Sequence, residues 1–185
     1  DDLTRKGIAV LRYDDRGVGK STGNYKKSST EDNANDARSA IEFLKTRPEI
    51  DQKNPGLIGH SEGGMIAPMV AANNKDVKFI VLMAGPGTPI DELMVEQSTR
   101  YSELQGANAS TIEVNTKIQK DTYAFIKSYN ANDFKNDFTT FLKAEMSKLH
   151  DSAKPQTEEE LNESVQNQVD AVNNKWFLYF IKYNP

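Results

Sequence analysis

Gly56-Leu57-Ile58-Gly59-His60-Ser61-Glu62-Gly63-Gly64-Met65-Ile66-Ala67 decides how this chain is read. Pro55 and the apolar pair Leu57-Ile58 lead into a Gly-x-Ser-x-Gly pattern, Gly59-His60-Ser61-Glu62-Gly63, and Met65-Ile66-Ala67 after it is compatible with a helix. That order suits a strand turning sharply into a helix, with the serine at the turn and its hydroxyl above the sheet end. Gly59 and Gly63 are expected where strand and helix nearly touch, because a larger side chain would clash there. The N–H of Glu62 is expected to face the position of a developing oxyanion. A plainer reading stands beside this one. The pattern also occurs by chance, and Ser61 would then only cap the following helix. The flanking strand and helix signals favour the first reading.

A second run, Tyr13-Asp14-Asp15-Arg16-Gly17-Val18-Gly19-Lys20-Ser21, resembles the Asp-x-Arg-Gly-x-Gly-x-Ser segment of α/β-hydrolases. Phe43-Leu44-Lys45, the turn Gly59–Gly64 and Val81-Leu82-Met83-Ala84-Gly85 follow in that family's order. The chain is similar to the bacterial esterase and serine-aminopeptidase-like (peptidase S33-like) group, clearly over about residues 7–90 and by position beyond. The resemblance implies a partial α/β-hydrolase fold, a parallel sheet with flanking helices, plus an all-helical lid. Residues 1–87 would form the core and residues 88–185 the lid or cap. It also implies a serine hydrolase, a carboxylesterase or acyl/aminopeptidase-like enzyme, with Ser61 as nucleophile and no cofactor. The substrate would be a small acyl ester or a short peptide.

At 185 residues the chain can hold a sizeable core. Its net charge of −4 leaves no electrostatic footprint for nucleic acid or an anionic membrane. No stretch approaches the length of a transmembrane helix, and the opening Asp1-Asp2-Leu3-Thr4-Arg5-Lys6 is not a signal peptide. The absence of cysteine excludes disulfides and thiol nucleophiles. It does not choose between bacterial cytoplasm and periplasm.

Gly7-Ile8-Ala9-Val10-Leu11 is apolar without alternation, as in a strand buried on both faces of a parallel sheet. It starts so abruptly that earlier strands are expected to be missing. Residues 14–29 read as loop. Thr30 is the expected cap of a helix, with Ala34, Ala37, Ile41 and Leu44 on one face and an end before Pro48. Residues 56–60 form the next strand and 62–73 a helix, which Pro68 should kink or shorten. Residues 77–83 form a third strand. Thr88-Pro89 reads as a cap followed by proline in the first turn of a helix to about residue 105. Further helices are expected from Ser110 to about Ser128, through Phe134, Phe138, Phe141, Leu142 and Leu149, and through Leu161, Val165 and Val172 into the apolar run Trp176–Ile181.

A serine hydroxyl needs a base held by a carboxylate. The chain has two histidines. His60 adjoins Ser61 and should leave the turn in another direction, as packing or support. His150, at the end of a lid helix, reads poorly as a base. The family places its acid and histidine after the lid, which would put both beyond Pro185, and its second oxyanion donor on a His-Gly loop before Gly7. The chain by itself is therefore expected to be inactive. Arg16-Gly17-Val18-Gly19-Lys20-Ser21-Thr22 competes as the end of a phosphate-binding P-loop. Asp14 stands where its first glycine should be, and Lys20 opens no helix. Arg16 is instead expected to pair with Asp14 or Asp15. The Glu62 side chain either recognises a positive substrate group or is a solvated or capping acid. No histidine–carboxylate cluster suggests a metal. The alternative function is a non-catalytic binding or assembly module, forming homo-oligomers through exposed sheet edges or lid helices.

Overall fold

The computed structural model describes residues 2–149 and 154–185. The chain resolves into two compact units, one running to Gly87 and the other Thr88–Asn184. In the first unit, a helical turn α1 (Asp2–Arg5) and a long loop lead to α2 (Thr30–Leu44), β1 (Gly56–His60), α3 (Gly63–Ala72) and β2 (Phe79–Met83). β1 and β2 pair in parallel, with Gly56 opposite Phe79 and His60 opposite Met83. A parallel pair needs a crossover, and α3 supplies it. α3 packs on both strands and on α2. The core between them joins Ala34, Ala37 and Val70, with Leu57, Ile66, Met69 and Val77 around it. α3 continues through Pro68, which removes one of its backbone donors.

The cap of α2 lies one residue earlier than the sequence reading had it. Ser29, not Thr30, is the N-cap. Its side chain accepts from the Asp32 N–H at 3.3 Å, while the Asp32 carboxylate accepts from the Ser29 N–H at 2.8 Å. This reciprocal box satisfies two donors that the first turn leaves without helical acceptors. Thr30 is thereby released from capping and lies fully buried in the first turn.

Gly7–Leu11 is not a strand of the sheet. The N–H groups of Lys6, Gly7 and Ile8 turn back onto the carbonyls of Leu3 and Thr4, and Gly7 takes a φ of +82°. From Ile8 onward the backbone runs without a ladder, with Ile8 and Val10 exposed. A strand exists through its partner, and the ladder among the described residues ends with β1 and β2. Apolar composition alone therefore misassigned this run.

The second unit is helical: α4 (Ile90–Leu104), α5 (Ala109–Ser128), α6 (Phe134–Ser147), α7 (Glu158–Val172) and α8 (Lys175–Phe180). Phe125 of α5 stacks on Phe141 of α6 with ring centroids 4.6 Å apart and meets Phe138 at 5.6 Å. Ile90, Ile126, Phe138, Leu142, Val169 and Ile181 are almost wholly buried. Thr88 does not cap α4. Pro89 occupies the cap position without a side-chain bond, and the Ile90 N–H donates to the Tyr183 carbonyl at 3.1 Å. A backbone carbonyl from the end of the unit thus replaces the expected side chain. Leu149 falls beyond α6, and α8 is separate from α7 because Asn174 caps it, accepting from the Phe177 N–H at 2.8 Å. No described helix is long and apolar enough to cross a membrane.

Ser29→Ala is expected to lower unfolding stability by about 1 kcal/mol, the usual worth of an N-cap. Urea denaturation followed at the α2–α3 unit measures it. Unchanged stability would show that the box is not holding the helix start.

Candidate active site

Two residues, Ser61 and Glu62, separate β1 from α3. Ser61 has a φ of +53°, the left-handed region that costs a residue with a Cβ about 1–2 kcal/mol. Such a conformation persists only where the surroundings over-determine it. Here the Ser61 N–H donates to the Met83 carbonyl at 3.0 Å, extending the parallel ladder one residue past β1. On the other side the Ser61 carbonyl accepts from the Gly64 N–H at 2.8 Å, and the Glu62 carbonyl accepts from Met65 and Ile66 at 2.9 and 3.1 Å. Ladder and helix therefore both claim Ser61, and its side chain is left exposed.

The glycines divide differently from the sequence reading. A methyl on Gly59 would overlap the Gly63 carbonyl oxygen, so Gly59 is obligatory. A methyl on Gly63 would meet nothing. The second obligatory glycine is Gly64, where a methyl would overlap the Cα of Gly85; a Cβ built on Gly85 would in turn lie 3.0 Å from the Gly64 Cα. Gly64 and Gly85 let the start of α3 touch the chain leaving β2. Ala84, between β2 and that contact, also has positive φ, +50°.

The Glu62 side chain is half-buried and bonded across to α2. Its Oε1 accepts from the Thr30 hydroxyl at 2.6 Å, across from α2. Thr30 was read from sequence as a cap, which hid this contact. The Ser29-x-x-Asp32 spacing of a capping box was the signal that could have freed it.

Arg16 pairs with α2 rather than with Asp14 or Asp15. Its Nε and Nη2 donate to the two oxygens of Asp36 at 2.7 and 2.6 Å, and Nη2 also donates to the Asp32 carbonyl at 2.9 Å. This two-point grip raises the Arg16 pKa further above its ordinary value, chiefly through the Asp36 hydrogen bond. Asp14 organises the loop instead. Its carboxylate accepts from the Lys20 N–H at 3.1 Å and its carbonyl from the Ser21 hydroxyl at 2.6 Å. A methyl on Gly19 would overlap that carboxylate. The Lys20 N–H is turned toward the Asp14 carboxylate and those of Gly17, Val18 and Ser21 toward backbone carbonyls, and α2 starts ten residues after a P-loop would require it. The phosphate reading has no geometry behind it.

His60 is exposed at the end of β1 and does not pack in the core. No hydrogen bond joins it to Ser61 among the described residues. His150 lies outside them. No group of histidine, aspartate and glutamate side chains there could hold a metal. In the helical unit a cavity of about 690 Å³ is lined by Tyr123, Phe138, Leu142, Met146 and Phe177, with the mostly buried Glu145, paired with Lys148, at its wall.

The glycine contacts predict opposite outcomes for two similar substitutions. Gly59→Ala should cost about 3 kcal/mol or more, as severe overpacking against backbone. Gly63→Ala should be neutral or stabilising by up to about 1 kcal/mol, as for alanine in a helix. Thermal unfolding of the two variants decides between this assignment and one that makes Gly63 the close-contact glycine.

Comparison with known proteins gives the family of the chain. Residues 1–159 match the family model described as serine aminopeptidase, S33. Esterase EstD of Thermotoga maritima is 31% identical over 116 residues, 63% of this chain and 27% of that protein. Thiohydrolase apmlB of Arthrinium phaeospermum is 32% identical over 99 residues, 53% of this chain and 32% of that protein. The chain thus aligns with about a third or less of the length of these relatives. With a family match over most of its length and a parallel strand–turn–helix–strand unit, the chain belongs to the serine aminopeptidase S33 family of α/β-hydrolases.

Proposed function

We propose that these residues carry the nucleophile of a serine hydrolase that forms an acyl-enzyme on Ser61. The observation behind this reading is the left-handed backbone of Ser61, an exposed hydroxyl on a turn that a glycine would occupy at lower cost. In the proposed reaction the Ser61 Oγ adds to the acyl carbonyl carbon as a general base takes its proton. The Glu62 N–H stabilises the resulting oxyanion. The tetrahedral adduct collapses, the alkoxide or amine leaves with that proton, and water then releases the acid from the ester on Ser61. The names of the two relatives, an esterase and a thiohydrolase, favour an ester as the first substrate to try over an amide. The helical unit would act as a lid that selects the acyl group, its aromatic-lined cavity offering apolar surface. No step of this chemistry needs a cofactor.

In this reading His60 is not the general base; it is exposed at the end of β1 and makes no hydrogen bond to Ser61. Under this reading the base, its acid and the second oxyanion donor come from other parts of a longer protein. The 185 residues alone would then hydrolyse esters at close to the background rate.

A second reading, a non-catalytic assembly module, draws on the exposed Ile58, Phe79, Val81 and Met83 of the two strands. Active-site labelling separates the two. In the intact protein a fluorophosphonate should modify Ser61, identified by mass spectrometry of the peptide. Ser61→Ala should abolish the label and reduce p-nitrophenyl ester hydrolysis by about 10⁴-fold or more. An intact protein that hydrolyses esters unchanged after Ser61→Ala, or that never labels there, would refute the serine reading.

A further inference from the structure

Beside the proposed nucleophile turn sits a part-buried polar contact that the chemistry above does not use. Thr30, in the first turn of α2, is fully buried, and its hydroxyl donates to Glu62 Oε1 at 2.6 Å. Glu62 is the residue directly after Ser61, with helical backbone angles (φ −56°, ψ −33°) at the start of α3. Its carboxylate is therefore tethered to the same peptide whose N–H would face the oxyanion. A carboxylate so near a developing negative charge opposes it by repulsion, unless it is held elsewhere.

We propose that Thr30 is a positioning residue for this site, holding the Glu62 carboxylate against α2 and away from the charge that forms beside Ser61. The inference rests on Ser61 being the nucleophile. Three observations carry it. The bond is short and charge-assisted, the kind that fixes a rotamer. The carboxylate lies at the N-terminus of α2, where the helix dipole favours a negative charge. The donor itself is held firmly: Ser29 and Asp32 box the helix start, and Arg16 grips the Asp32 carbonyl at 2.9 Å and the Asp36 carboxylate. Arginine loop, helix start, threonine and glutamate form one connected set of contacts ending one residue from the nucleophile.

The test measures, in the intact protein, how fast a fluorophosphonate modifies Ser61, together with kcat and KM for a p-nitrophenyl ester. In labelling, the Ser61 Oγ bonds to phosphorus, fluoride leaves, and the hydroxyl proton goes to the general base. Thr30→Val keeps the shape and removes the donor. It should slow labelling and lower kcat about tenfold, with KM within about twofold. Thr30→Ser should restore both rates. Thr30→Val combined with Glu62→Gln should regain most of the loss, since the unheld charge is gone; a merely structural role would not give that recovery. Glu62→Asp, one methylene too short to reach Thr30, should repeat the loss without touching the buried threonine. This covers the case in which Thr30→Val fails to fold. Wild-type labelling rates in both Thr30→Val and Glu62→Asp would overturn the positioning role while leaving the serine reading intact. An unlabelled wild-type Ser61 would remove that reading and this inference together.

Discussion

One backbone conformation organises the first unit: the left-handed turn at Ser61. β1 must end there, because a positive φ cannot continue a strand, and α3 must begin at once, because the Glu62 carbonyl is already an acceptor for the first helical turn. So abrupt a reversal forces two backbones into contact. Gly59 then faces the Gly63 carbonyl, and Gly64 faces Gly85, with no room for a Cβ at Gly59 or Gly64. The parallel register follows from the same point. The Ser61 N–H reaches the Met83 carbonyl only if His60 stands opposite Met83, which fixes every other pair in the two strands. The strain of about 1–2 kcal/mol is small against the burial of Met65, Ala67 and Val70 on α3, which the turn makes possible.

Outward from the turn, the constraint passes through polar contacts rather than apolar ones. α2 could cover α3 through Ala34, Ala37 and Val70 in several rotational settings, since small side chains specify little. The Arg16 fork on Asp36 and the Thr30 bond to Glu62 remove that freedom, because each needs one azimuth of α2. Asp14 serves the same end from within the loop, satisfying Lys20 and Ser21 so that Arg16 projects from a defined backbone. Arg16 and Asp14 are thus spent on internal order rather than offered to a ligand.

The sequence made local features legible and left non-local ones hidden. The strand–turn–helix at Ser61, the extents of α2, β1 and α3, and the aromatic helices of the second unit all follow from patterns within a few residues. Gly63 against Gly64 could not be separated that way, since the decisive neighbour of Gly64 is Gly85, twenty-one positions on. The same applies to Arg16, whose partner sits on α2, and to Ile90, whose N–H finds Tyr183. Gly7–Leu11 failed for a related reason. Its apolar run matches a buried strand in composition, but pairing is a property of two segments and composition reports one. Ser29 and Thr30 were a genuine local miss: both can cap, and only the reciprocal spacing to Asp32 distinguishes them.

Chemistry divides along the same line. Under the proposed reading a nucleophile and one oxyanion donor come from consecutive residues, because one tight turn places the exposed Ser61 side chain and is followed directly by the Glu62 N–H. A base cannot come from them, since it must approach the Ser61 hydroxyl from across the fold, and the neighbouring His60 leaves β1 on an exposed face instead. Glycine at position 61 would adopt the left-handed backbone freely, as Gly17, Gly19 and Gly23 do in the loop before α2, whereas Ala84 carries a positive φ with no polar side chain. In the proposed reading the serine is kept at this strained position for its exposed hydroxyl, the one group that distinguishes it from Ala84 at a similar φ.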